Sequence, residues 1–167
     1  LAPQYFEAVA AIAARAGLPV HLDGARLFNA AVHAGLPITA WTRHVTTVNL
    51  CLSKGLAAPV GSVVAGPREV VARIRKLRKM LGGGMRQVGI LAAAGLYALD
   101  HHVERLDEDH ANARRLAEGA AAIPGLSSPQ SVPCATAWTN LVYVTIDADA
   151  LRDGAPDSAL LSRRLRE

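Results

Sequence analysis

The two residues best suited to chemistry are an aspartate that closes one short apolar run and a lysine that follows another. Residues 18–22 are apolar apart from His21 and run into Asp23-Gly24. Residues 46–52, rich in β-branched side chains, give way to Ser53-Lys54-Gly55. Such runs, set among helical patterns, read as buried strands of an α/β sheet. In open α/β sheets the functional groups collect at the carboxyl ends of the strands. A lysine amine there can form an imine with a carbonyl cofactor, and a carboxylate can hold a pyridine nitrogen protonated. The ring can then take up electron density from a carbanion at a substrate Cα. Together these are the core requirements of pyridoxal phosphate chemistry. Taken singly, each residue has an ordinary reading, Lys54 as a solvated loop residue and Asp23 as a helix cap or turn former.

The elements that must position this pair follow from periodicity. Residues 3–16 carry Tyr5, Phe6, Val9, Ile12 and Ala13 at helical spacing, with Gly17 as a stop. Residues 26–34 return to a helical pattern and end at Gly35. Residues 61–65, after Pro59, read as a further strand closed by Gly66-Pro67, and residues 68–81 as an amphipathic helix. Three glycines at 82–84 form a connector that neither helix nor strand favours. Two long helices are expected over 85–101 and 103–122, with the break near 100–102. The cluster of Pro, Gly and Ser at 124–133 places a domain boundary after residue 123. A strand is expected at 140–146 and the start of a helix at 158–166. The class is α/β.

The chain has 167 residues, 51% hydrophobic and 19% charged, which excludes a disordered polyelectrolyte and allows a sizeable core. It opens on Leu1 rather than Met, directly in a helical pattern, and so reads as a piece of a longer protein. With no leader-like or long apolar stretch, a soluble protein is expected. Two cysteines, Cys51 in an apolar run and Cys134 in a Pro-flanked loop, build neither a disulfide framework nor a zinc site. A reducing, cytoplasmic location is the expectation, with a mitochondrial one left open. The net charge of +4 is concentrated between Arg68 and Arg86, and no aromatic residue interleaves that stripe. It suits a phosphorylated small molecule or solvent better than nucleic acid. His21 reads as a core residue and the other five histidines as surface or turn residues, with no metal spacing among the six.

Four segments carry a resemblance to a known family. They are HLDGARLFNAA at 21–31, LSKGLAAPVGSVVAG at 52–66, RKMLGGGMRQVGILAAAGLYAL at 78–99 and ERLDEDHANARRLAEG at 104–119, with TNLV at 139–142 after them. In this order they resemble the low-specificity L-threonine aldolases over nearly the whole chain. The resemblance implies a fold-type I pyridoxal phosphate enzyme. Residues 1–123 would belong to its cofactor-binding large domain, a mixed sheet flanked by helices, and 124–167 would begin its small C-terminal α/β domain.

The resemblance further implies that Lys54 is the Schiff-base lysine and Asp23 the residue facing the pyridine nitrogen. Arg26, read as one turn into the following helix, would lie near the cofactor's phenolic oxygen and the substrate carboxylate. A cation at a helix start opposes the macrodipole, which hints at an anionic partner from a ligand. Lys79 and Arg86 would lie in a segment reaching a neighbouring subunit's site, to meet phosphate or carboxylate, and Ser53 could bond the phosphate. The implied reaction is cleavage of L-threonine or L-allo-threonine to glycine and acetaldehyde by a homo-oligomer, dimer or tetramer, with neither membrane nor nucleic acid as partner. Another pyridoxal phosphate lyase of the same fold and a non-catalytic degenerate fragment are the alternatives. The piece alone is expected to be inactive.

Overall fold

The computed structural model describes residues 1–128, 139–147 and 163. Residues Leu1–Asp107 form one compact unit and Glu108–Glu167 a second. The first unit opens with helix α1 (Pro3–Arg15), with Pro3 in its first turn, where a missing N–H costs nothing. Strand β1 (His21–Asp23), helix α2 (Leu27–Ala34) and the single-turn helix α3 (Thr39–Thr42) follow, then strands β2 (Thr47–Cys51) and β3 (Ser62–Ala65). Helices α4 (Arg68–Met80) and α5 (Gly89–His101) come next, and α6 (Leu106–Ala121) begins at the unit's end.

The sheet order is β1-β2-β3, so β1 and β3 are both edge strands. β1 pairs with β2 in parallel, His21 opposite Thr47 and Asp23 opposite Asn49. Parallel neighbours need a crossover, and α2 with α3 provides it. β2 then pairs antiparallel with β3, Cys51 opposite Ser62 and Val48 opposite Ala65. The sheet is mixed, as expected, and the chain between β2 and β3 carries Lys54.

Helix α2 serves two hydrophobic clusters at once. Leu27 and Ala31 join Trp41 and Val48, with Phe6, Leu22 and Leu50 packed against them. One position along, Phe28 and Val32 pack against Leu52, Leu56, Ala58, Ala98 and Leu106. Gly35, at φ 63°, closes the helix in the left-handed conformation that glycine adopts without strain. Trp41 is buried, and its indole Nε1–H donates to the Leu1 carbonyl at 3.0 Å. Burial of this side chain ties the start of the chain to the crossover.

Several expectations shift. The strand expected at 18–22 is three residues long and reaches Asp23. His21 is exposed rather than in the core, because its neighbour Leu22 faces the cluster and strand side chains alternate. Its Nδ1 lies 2.9 Å from the Thr47 hydroxyl. Helix α5 starts at Gly89, not 85, since residues 85–88 form a turn after the triple glycine. The short α3 has no counterpart in the sequence pattern. Cys51 is half-buried and accepts a 3.5 Å hydrogen bond from the Ser62 hydroxyl.

In the second unit His110 is buried, against its expected surface position, with Ala113 and Ala117 on the same helical face. Strands β4 (Leu126–Ser127) and β5 (Thr145–Ile146) pair antiparallel. The strand expected at 140–146 therefore narrows to its last two residues, and β4 falls in a stretch read as loop. Cys134 and nearly all of the helix expected at 158–166 fall outside the described residues.

Gly24 shows how tightly β1 leaves the sheet. A Cβ there would stand 2.7 Å from the Asn49 carbonyl oxygen and 2.9 Å from Val48 Cγ2. Gly24→Ala is expected to destabilise the protein by about 1–3 kcal/mol through overpacking. Gly119→Ala, inside α6 with nothing within 4 Å of the added methyl, should stabilise by up to ~1 kcal/mol through helix propensity. Urea unfolding of the two variants reads the contrast, and equal midpoints would refute it.

Candidate active site

Asp23 is fixed by its own turn and by the neighbouring strand. Its Oδ1 accepts from the Ala25 backbone N–H at 3.1 Å and from the Asn49 side-chain Nδ2 at 3.3 Å. The Gly24 N–H continues the ladder to the Asn49 carbonyl at 2.8 Å. One carboxylate oxygen is thus committed to the scaffold, while Oδ2 makes no hydrogen bond among the described residues and the side chain is exposed. A carboxylate held by one oxygen with the other open is suited to receive an N–H from a bound ring.

Arg26 sits at the N-cap of α2, before the helix rather than a turn inside it, and is exposed. Asp23, Gly24 and Arg26 line a common open depression of about 270 Å³, whose other walls include Phe6, Leu27 and Trp41. A guanidinium without a partner among the described residues and a half-committed carboxylate, lining one largely apolar depression, can orient a small zwitterionic or anionic ligand.

Lys54 stands three residues past the end of β2, on the same carboxyl-end side of the sheet as Asp23, because β1 and β2 are parallel. It is exposed, and its ammonium forms no hydrogen bond or ion pair among the described residues. The backbone beneath it is anything but loose. The Lys54 carbonyl accepts from Ala57 N–H at 2.8 Å, Leu52 carbonyl from Ala58 N–H at 3.0 Å, and Leu52 N–H donates to the Gly61 carbonyl at 2.9 Å. Ala57 takes φ 57°, the left-handed region, at a cost of about 1–2 kcal/mol for a residue with a Cβ. Leu52, Leu56 and Ala58 are buried and fasten the turn to the core.

Gly55 lets this turn press against the helices. A Cβ there would lie 2.7 Å from Leu106 Cδ2 and 3.0 Å from Asn29 Oδ1, and both residues are buried. Asn29, on α2, therefore lies beneath the lysine turn. Ser53 is exposed beside Lys54.

Lys79 and Arg86 are set apart from this group. Lys79 is in the last turn of α4, and its side chain lies along the connector: a Cβ on Gly84 would be 2.9 Å from its Cδ and 3.5 Å from its Nζ. Arg86 is exposed in the turn before α5. No hydrogen bond or ion pair among the described residues joins either to Asp23 or Lys54. Near them in sequence, Met80, Leu81 and Ile90 are 79%, 85% and 82% exposed.

Sequence reasoning singled out neither Asn49 nor Asn29. The signal for Asn49 was available, since it is an amide inside an otherwise apolar run. Asn29 sits in a helical pattern where any amide reads as surface. Among the described residues no three His, Cys, Asp or Glu side chains could together hold a metal ion, and no helix is long and apolar enough to cross a membrane.

The sequence pattern of the beta-eliminating lyase family matches residues 1–147. The chain is 40% identical, over 167 aligned residues, to low-specificity L-threonine aldolase 1 of Arabidopsis thaliana, covering 96% of this chain and 46% of that one. It is 54% identical over 101 residues to the low specificity L-threonine aldolase of Escherichia coli strain K12, covering 60% and 30%. Its fold superposes with a TM-score of 0.75 on a crystal structure from Exiguobacterium sp. 255-15, provisionally assigned as an aromatic amino acid beta-eliminating lyase/threonine aldolase. That match has 23% identity and covers 86% of this chain and 40% of that chain. The structural likeness establishes the fold. The chain spans less than half the length of these relatives.

Gly55→Ala is expected to force the lysine turn off Leu106 and Asn29 and cost about 1–3 kcal/mol of stability. Denaturant unfolding checks this, and a wild-type midpoint would show that the close approach is not needed.

Proposed function

The chain belongs to the beta-eliminating lyase family, and from that premise we propose that it serves pyridoxal phosphate-dependent cleavage of L-threonine or L-allo-threonine to glycine and acetaldehyde. One observation carries the reading: two adjacent parallel strands, in register, deliver a half-committed carboxylate and an unpaired lysine to the same end of the sheet. The relatives named low-specificity L-threonine aldolase support the choice of substrate.

The residues present fit the cofactor. Lys54 offers a primary amine for its aldehyde carbon, and Asp23 Oδ2 an open acceptor for its ring nitrogen. Arg26 offers a guanidinium in the depression that Asp23 lines. When bound, the cofactor supplies a conjugated cationic ring that takes up the electron pair released as the substrate's Cα–Cβ bond breaks.

The chain's own residues do the rest. The Asp23 carboxylate keeps a proton on the ring nitrogen by charge, with Asn49 and Ala25 holding the carboxylate in place. The exposed Lys54 Nζ would be the amine that holds the cofactor covalently. Arg26 is proposed to receive the substrate carboxylate through paired N–H bonds, which fixes the orientation of the bond to be broken. Ser53 is proposed as a hydroxyl donor to phosphate. Lys79 and Arg86 are proposed to meet phosphate or carboxylate across a homo-oligomer interface. The large-domain assignment of residues 1–123 belongs to the same proposal.

The test is product analysis on the full-length protein. Acetaldehyde and glycine are expected from threonine, without 2-oxobutanoate or ammonia. 2-Oxobutanoate and ammonia would indicate elimination chemistry and overturn the aldol reading. Lys54→Ala should lower kcat/KM by roughly 10²–10⁴-fold or more. Asp23→Asn, which removes the charge but keeps the shape, should lower it by about 10²–10³-fold.

A further inference from the structure

We propose that His102 is a positioning residue for Lys54, holding the lysine turn in its strained shape from the end of helix α5. The inference rests on the reading of Lys54 as the cofactor-binding amine.

His102 closes helix α5, and its Nδ1 lies 2.6 Å from the Leu56 carbonyl oxygen, 46 residues away in sequence. A carbonyl can only accept, so Nδ1 carries the proton and the ring donates. Leu56 is 2% exposed, two residues past Lys54, and no backbone N–H among the described residues donates to its carbonyl. Left without a donor, that carbonyl would be a buried unsatisfied acceptor. The next residue, Ala57, is the one non-glycine at positive φ among the described residues. A non-glycine residue keeps such a conformation only where its surroundings over-determine it.

The surroundings here are three bonds on consecutive groups. Ala57 N–H closes the turn on Lys54, and Ala58 N–H closes it on Leu52. His102 holds the Leu56–Ala57 peptide a second time, through its carbonyl. Both local bonds come from within the turn and move with it. The His102 bond ties the turn to a separate helix, so it helps to set where the turn, and Lys54 with it, stands relative to the core. Tyr97, one turn and a half earlier on α5, places its ring edge-on to His102 at 5.6 Å between centroids. That contact narrows the imidazole's freedom to leave the carbonyl.

The bond asks for a donor at one point, not for an ionisable group. An asparagine amide can serve in its place, whereas a leucine of similar bulk cannot. The experiment compares the full-length wild-type protein with His102→Leu and His102→Asn. Amide hydrogen exchange is followed at Ala57 and Ala58, with the β2 amides of Thr47–Cys51 as the control for folding. Release of pyridoxal phosphate on dilution is followed by loss of visible absorbance.

With His102→Leu, exchange at Ala57 and Ala58 is expected to quicken roughly tenfold while the β2 amides hold their rates. Pyridoxal phosphate should leave several times faster, and His102→Asn should restore both. Unchanged exchange at Ala57 and Ala58 in His102→Leu would overturn the proposal. So would faster exchange with wild-type cofactor release, or an asparagine variant no better than leucine. If the wild-type protein binds no pyridoxal phosphate, the proposed function fails, and so does the positioning role built on it. The exchange arm would still report the anchor separately.

Discussion

Parallel pairing of β1 with β2 is the constraint from which the site follows. The pairing runs from His21 opposite Thr47 to Asp23 opposite Asn49, where β1 ends, while β2 continues to Cys51 beside β3. Because the strands point the same way, their carboxyl ends coincide, and whatever follows them shares one edge. Asp23 is the last residue of β1, bonded across to Asn49, and Lys54 lies in the turn that follows β2. An antiparallel pair would have put these residues at opposite ends of the sheet. The parallel arrangement requires a crossover, and α2 repays its cost by packing into both hydrophobic clusters.

The lysine is exposed on a turn whose leucines are buried. Its neighbours Leu52, Leu56 and Ala58 are buried, Gly55 lies against Leu106 and Asn29, and Ala57 is held at positive φ. The flexible part is the side chain, and the platform beneath it is fixed. This division suits a residue that must hold a cofactor, let go, and find it again in the same place. The basic connector around Lys79 and Arg86 has the opposite character. Its apolar side chains are exposed and its three glycines impose no conformation of their own.

Asp23 and Lys54 were legible in the sequence because strand ends are marked by abrupt changes in composition, and because α/β sheets concentrate function there. Helices α1, α2 and α4 were legible through their apolar spacing and their Gly and Pro punctuation. The residues that support the pair were harder to read. His102 meets Leu56 across 46 residues, and nothing in the local pattern at either position announces the other. His21 was misread because the run around it is apolar. Only alternation about Leu22 shows that burying His21 would also bury Asp23 on the same face. His110 looked like a surface residue in a charged helix, yet it shares a buried face with Ala113 and Ala117. The start of α5 was overrun because Met85 and Val88 continue the apolar pattern that the backbone does not follow.

The central claim is that Lys54 is the amine that holds the cofactor. The chain contains three lysines, Lys54, Lys76 and Lys79, of which the latter two lie on the basic helix α4. The most direct measurement is borohydride reduction of the full-length protein in the presence of pyridoxal phosphate, followed by peptide mass mapping. A pyridoxyl group on Lys54, with Lys76 and Lys79 unmodified, is the result this account predicts. Label on either helix lysine in place of Lys54, or none on Lys54 at saturating cofactor, would contradict it.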